Sequence, residues 1–167
     1  MNNTTSYQQI YEWFFSRIEK DEEFFRYYDL TAKDAIRLAK RRASNYLEEA
    51  IGLIKLKALP QVDFNDRTHR GFNFQFNAME RILIPSLMYE MYLDRDIAYL
   101  KLYNVNFTST DIRVFDPSNA RKTYLELYQT VRDYNKQLID DYKNTDRTTG
   151  KFRKMSFKKY DIRRDDD

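Results

Sequence analysis

The chain has 167 residues, of which 42% are hydrophobic and 33% charged, which suits one core beneath a well-solvated surface. It contains no Cys, 3 Gly and 3 Pro, so disulfides and thiolate metal sites are excluded, glycine-rich phosphate loops are disfavoured and long helices are permitted. The net charge of +3 hides an asymmetry: residues 147–167 hold eight basic and four acidic side chains, while the remainder is close to neutral.

Met1 to Ser6 is polar and lacks a basic leader region, so no secretory signal is expected. Tyr7, Ile10, Tyr11, Phe14, Phe15 and Ile18 recur at helical spacing, with Ser6 as the cap, and predict a helix over 6–20. Phe24, Phe25, Tyr27 and Tyr28 follow as an aromatic connector. Thr31 can cap a second helix over 31–58, because its hydroxyl can accept a first-turn amide while Asp34 favours the positive helix end. The small residues Ala35, Ala39, Ala43 and Ala50 on its apolar stripe predict close helix packing, and Pro60 stops it. Lys33, Arg37, Lys40, Arg41 and Arg42 make its first half basic, either as a solvated face or as a surface for DNA or an acidic partner.

Period two replaces period 3.6 at Val62-Asp63-Phe64 and Phe72 to Phe76, which predicts a short hairpin or an extended loop pinned by its phenylalanines. Asn77 and Glu80 have the spacing of a reciprocal N-terminal cap. The third helix carries Met79, Ile82, Leu83, Leu87, Met88, Met91 and Tyr92, with a kink expected at Pro85. Residues 97–103 either extend it or form a separate short helix. Asp116-Pro117 opens a fourth helix. In that helix Ala120, Tyr124, Leu127, Val131, Tyr134, Leu138 and Asp141/Tyr142 form a heptad seam ending near Lys143. Past Asn144 the periodicity is lost, and Thr148-Thr149-Gly150 reads as a flexible joint. The expected fold is mainly α: a compact bundle of about four helices over 1–146, with a hairpin or extended loop and an extended basic, aromatic arm over 147–167. No run approaches the roughly 20 apolar residues of a membrane span, so a soluble protein is expected, and the lack of Cys fits a reducing compartment.

The common catalytic patterns are missing. Nucleophilic catalysis needs an activated nucleophile beside a base, yet His69 is the single histidine and lies in a polar loop. Asp94 and Asp96, Asp140-Asp141 and Asp165 to Asp167 read as solvated acids, and Asp63 and Asp66 lack the spacing of a calcium loop. No catalytic residue, metal or cofactor is expected.

Four segments, in order and spacing, resemble a known family. They are Ser6 to Ile18, an aromatic opening helix, and Leu30-Thr31-Ala32-Lys33-Asp34-Ala35, a second cap. Gly71-Phe72-Asn73-Phe74-Gln75-Phe76-Asn77 precedes a third helix, and Leu138-Ile139-Asp140-Asp141-Tyr142 closes the last. Together, over residues 6–143, they resemble the head–tail connector, or neck adaptor, of tailed bacteriophages. The chain departs from that family at Pro85, inside a helix that usually runs unbroken, and in longer segments at 61–76 and 104–116. The resemblance implies identical subunits in a twelve-membered ring on the portal protein. Such a ring extends the DNA channel and presents a platform to a second neck or tail-completion protein. It places the protein in the virion neck, after assembly in the host cytoplasm.

With 14 Tyr and 12 Phe, the chain has material for an aromatic core or for partly wet interfaces. Candidates for lateral contact are Phe24, Phe25, Tyr27 and Tyr28, and Phe72, Phe74 and Phe76; the alternative is that they cap the monomer's own core. The arm residues Lys151, Phe152, Arg153, Lys154, Met155, Phe157, Lys158, Lys159 and Tyr160 are expected to dock on the portal or a neighbouring subunit, with aromatics in pockets and basic groups on acidic partners. The same composition also fits a nucleic-acid arm that neutralises phosphates and stacks on bases.

Overall fold

A computed structural model describes residues 4–18, 30–106 and 117–153, with side chains described for 4–18, 30–97 and 122–153. Within them lie four helices, α1 (Tyr7–Ile18), α2 (Ala32–Lys57), α3 (Ala78–Asn106) and α4 (Pro117–Asn144). Three two-residue strands, β1 (Thr5–Ser6), β2 (Arg67–Thr68) and β3 (Gly71–Phe72), form an antiparallel sheet in the order β1-β3-β2. The architecture is a mainly α bundle, as the periodicity predicts.

Helix α3 is central. It packs against α1, α2 and α4, and its buried residues include Leu83, Ile84, Leu87, Met88, Tyr92 and Leu93, which point in several directions around the axis. Helix α1 turns only Ile10, Phe14 and Ile18 fully inward. Helix α2 buries Ala39, Ala43 and Ala50 beside Leu47, Ile51 and Ile54, so its small residues let neighbouring backbones approach.

The local signals that start the helices are present as hydrogen bonds. Ser6 Oγ accepts from the Gln9 amide at 3.2 Å, and Thr31 Oγ1 accepts from the Asp34 amide at 3.2 Å. Asn77 and Glu80 close the reciprocal cap, each side chain accepting the other's amide at 2.8 Å. Helix α3 continues through the buried Pro85, and residues 97–103 extend it. Neighbouring helices supply donors to carbonyls around that proline: Arg17 Nη2 reaches Ile82 O at 3.4 Å, and Asn135 Nδ2 reaches Ser86 O at 3.1 Å.

The hairpin is shorter than the period-two pattern suggests. Arg67-Thr68 pairs with Gly71-Phe72 around a His69-Arg70 turn, and Phe74 and Phe76 lie beyond the strand. The N-terminal Thr5-Ser6 adds the third strand, and the buried Thr5 Oγ1 accepts from the Phe76 amide at 2.8 Å. A Cβ on Gly71 would collide with Thr5 O and come within 2.7 Å of Ser6 Cα, so this glycine lets β1 lie against β3. Phe64, Phe72 and Phe76 pack ring to ring beneath, with centroids 5.1–6.1 Å apart.

Two sequence expectations are corrected here. Phe72 and Phe76 are each 1% exposed, so they belong to the subunit's own core and not to a lateral face. The seam of α4 is also rotated on one side. Tyr124, Val131, Leu138 and Tyr142 turn inward as the spacing predicts and are joined by Tyr128, Asn135 and Ile139, while Leu127 and Tyr134 are 42% and 47% exposed. Acids of α3 face this inward stripe and accept hydrogen bonds from its phenols and its amide. Tyr124 Oη donates to Asp96 Oδ2 at 3.0 Å, Asn135 Nδ2 to Glu90 Oε2 at 2.7 Å and Tyr142 Oη to Glu80 Oε1 at 3.1 Å.

Candidate assembly surfaces

The root of the C-terminal arm is fastened by a buried ionic clasp. Glu80, at the start of α3, is 0% exposed. Its carboxylate accepts from Arg147 Nε at 2.7 Å and Nη2 at 3.0 Å, from Tyr142 Oη and from the Asn77 amide. A buried charge with this many donors is satisfied, and the paired guanidinium fork fixes direction as well as distance. Arg147 Nη2 also donates to Gln75 O at 2.6 Å, and its guanidinium lies 5.4 Å from the Phe74 ring centroid. Burial pushes the Tyr142 phenol well above its usual range, and the adjoining Glu80 charge pushes it further, so the hydroxyl stays a donor. Gln61 completes the joint, donating to Thr145 O at 2.7 Å and accepting from the Arg147 amide at 3.1 Å.

The expected joint at Thr148-Thr149-Gly150 is instead a hydrogen-bonded turn. Asp146 Oδ1 accepts from the Thr149 amide at 2.7 Å, the Thr149 hydroxyl at 2.9 Å and the Thr148 amide at 3.1 Å. Those bonds, the Thr149 amide first, hold the Asp146 carboxyl below the usual carboxylate range. Gly150, at φ +68, turns the chain back in the left-handed region. The Asp146 amide then donates to Lys151 O at 2.8 Å, the Arg153 amide donates to Asn144 O at 2.7 Å, and Thr145 bridges Phe152. Residues 147–153 are therefore hydrogen-bonded to the helical body.

The sequence candidates separate accordingly. Lys151, Phe152 and Arg153 are presented on the turn, with Phe152 72% exposed. Lys154, Met155, Phe157, Lys158, Lys159 and Tyr160 lie outside the described residues, as do Phe24, Phe25, Tyr27 and Tyr28. Phe74 is half-buried beneath Arg147, and His69 is exposed in its turn.

Two surface features were not read from the sequence. One is the pair Leu127 and Tyr134, which α4 leaves 42% and 47% exposed, with Leu127 on the wall of a cleft shared with Arg17 and Ile18 of α1 and Tyr89 and Leu93 of α3. The other is an apolar groove of about 440 Å³ between α1 and the first half of α2, lined by Tyr11, Phe15, Ala35, Ile36, Ala39 and Lys40. The signal for the exposed pair was present: the apolar residues of α4 fill two adjoining stripes, more than one partner helix can cover. Among the described residues, no group of three His, Asp or Glu is placed to hold a metal ion, and no helix is long and apolar enough to cross a membrane. No family model, curated protein or solved structure matches the chain.

Proposed function

We propose that the protein is a non-enzymatic assembly subunit, a member of the neck ring that joins the head of a tailed bacteriophage to its tail. The observation that carries this reading is the fastened turn at the end of α4. It holds Phe152 out to solvent between the exposed Lys151 and Arg153, on a root anchored by Arg147 in a buried carboxylate. An exposed aromatic flanked by cations on a rigid base has the chemistry of a docking anchor: the ring fills a pocket and the basic groups pair with acidic partner residues. In this proposal the portal protein supplies that pocket, and the arm from Lys154 to Tyr160 continues the contact. The helical bodies form a ring of identical subunits, twelve by the family resemblance, around the DNA channel. Its far side receives a second neck or tail-completion protein.

The test compares the full chain with one ending at Arg153, which keeps the clasp and the turn. Co-sedimentation with the portal protein of the same phage should fall to background on truncation, and in part when Phe152→Ala is made in the full chain, with melting of the body unchanged. If truncation instead removes a salt-sensitive affinity for DNA and leaves portal attachment intact, the arm is a nucleic-acid arm and the reading fails.

A further inference from the structure

We infer that the end of α2 supplies the second half of the docking surface that Phe152 begins, with Leu56 and Leu59 entering an apolar pocket edged by carboxylates on the same protein partner. The inference deepens the assembly reading and rests on it for the partner's identity as the portal protein. Among the described residues, the large apolar side chains with the greatest exposure are Leu56 at 78%, Leu59 at 74% and Phe152 at 72%. They belong to segments far apart in sequence that the fold brings to one end of the body. Gln61, just past Leu59, donates to Thr145 O at 2.7 Å and accepts from the Arg147 amide at 3.1 Å, and Thr145 pairs with Phe152.

Neither leucine serves the subunit's own fold. Leu56 stands on the side of α2 away from the buried Ile54 and Ala58. Leu59 follows the C-cap Ala58 and has φ +46, in the left-handed region. That position favours glycine, because a Cβ there crowds the following carbonyl oxygen. Among the described residues it is the one non-glycine with positive φ. A leucine is thus held on strained backbone with its side chain in water. Stability alone gives no reason for that choice, whereas a contact made by another protein does.

Charge defines what the partner must offer. In residues 55–63 and 144–153, Lys55 bonds to Asn65 Oδ1, Arg147 is held by Glu80, Asp63 accepts from the Asn65 amide and Asp146 accepts within its own turn. Lys57, Lys151 and Arg153 are exposed and form no ion pair among the described residues. Lys57 adjoins Leu56, and Lys151 and Arg153 adjoin Phe152. An apolar surface edged by such cations complements an apolar pocket edged by carboxylates. The same end of a second copy would set cation against cation, and duplex DNA would pair the cations and leave the leucines in water.

The test makes Leu56→Gln, Leu59→Gly and Lys57→Glu singly in the full chain, with the portal protein of the same phage as probe. Each leucine variant should weaken portal binding roughly tenfold or more, the change expected when a leucine is withdrawn from a buried contact. Lys57→Glu should weaken binding and flatten its dependence on salt. Leu59→Gly should at the same time raise Tm by about 2–4 °C, because the left-handed strain is relieved. Loss of binding with gain of stability separates a presented side chain from a structural one. Leucine variants that bind portal undiminished while Phe152→Ala binds weakly would overturn the inference and leave the neck reading standing. A fall in Tm for Leu59→Gly would also overturn it, since the leucine would then be held by its own subunit. So would leucine variants that lose self-association in light scattering and keep portal binding, which makes a second copy the occupant. A truncation at Arg153 that lowers Tm in the wild-type chain but not in Leu56→Gln would put the chain's own arm on the leucines and defeat the inference too. A wild-type chain that does not bind portal sinks the neck reading and this inference together.

Discussion

Arg147→Ala removes the partner of a charge that has no other cation within the clasp. The substitution deletes three hydrogen bonds from the guanidinium, two to Glu80 and one to Gln75 O, and leaves a carboxylate at 0% exposure with the Tyr142 hydroxyl and the Asn77 amide as its donors. Breaking a buried pair on one side costs about 3–5 kcal/mol, because the remaining charge stays desolvated. The Arg147 side chain is 22% exposed, so water can follow into the space it vacates, and the low end applies. We expect a loss of ~3 kcal/mol in urea unfolding, equivalent to a fall of roughly 6–12 °C in Tm for a domain of this size. Arg147→Lys should recover part of this, since a point charge cannot reproduce the two-pronged contact. In a double-mutant cycle with Glu80→Gln the two changes should be strongly non-additive, with coupling of about 2 kcal/mol. Amide exchange at Lys151 and Arg153 should accelerate in Arg147→Ala before the helices open, because the turn loses its anchor. A Tm change below about 2 °C, or additive behaviour in the cycle, would refute the clasp as the fastening of the arm's root.

Three further outcomes follow from local geometry. Gly71→Ala should destabilise by ~2 kcal/mol, since its Cβ meets the β1 backbone, and should release the protected Phe76 amide that Thr5 holds, both readable by hydrogen exchange. The Asp146 carboxyl, depressed by the Thr149 amide and hydroxyl, contributes stability that is present above its unfolded value and lost as pH falls through its lower folded value. The Thr149 amide resonance should therefore titrate with a midpoint below that of an ordinary aspartate, and Asp146→Asn should abolish that titration. Asn135→Asp would set a second carboxylate against Glu90, now 2.7 Å from the Asn135 amide nitrogen. One of the two must then hold a proton in the folded state, so the variant's Tm deficit should shrink as pH falls from about 8 to 5; a deficit independent of pH would count against it.

Legibility in the sequence followed the range of the interactions. Helix starts at Ser6, Thr31 and Asn77 depend on groups three residues apart, and each was readable from spacing alone. Glu80 shows where that stops. Its capping role was local and visible, but its union with Tyr142 and Arg147 spans more than sixty residues and has no local signature. The same limit hid the turn at 146–150: Asp-x-x-Thr and Gly150 are turn chemistry, yet a missing hydrophobic period reads as looseness unless the anchoring arginine is known to be occupied. Helix α4 is the sharpest case. A heptad rule selects Leu127 and Tyr134 for the inside together with Tyr124, Val131 and Leu138. The bundle keeps the last three and sets Tyr128 and Asn135 in place of the first two. Hydrophobic period gives the width of an apolar arc but not the face that meets a partner. The Asn135 amide, which donates to Glu90 and to Ser86 O, satisfies buried acceptors that a hydrocarbon would leave unpaired, so the inward face shifts by about one position toward it.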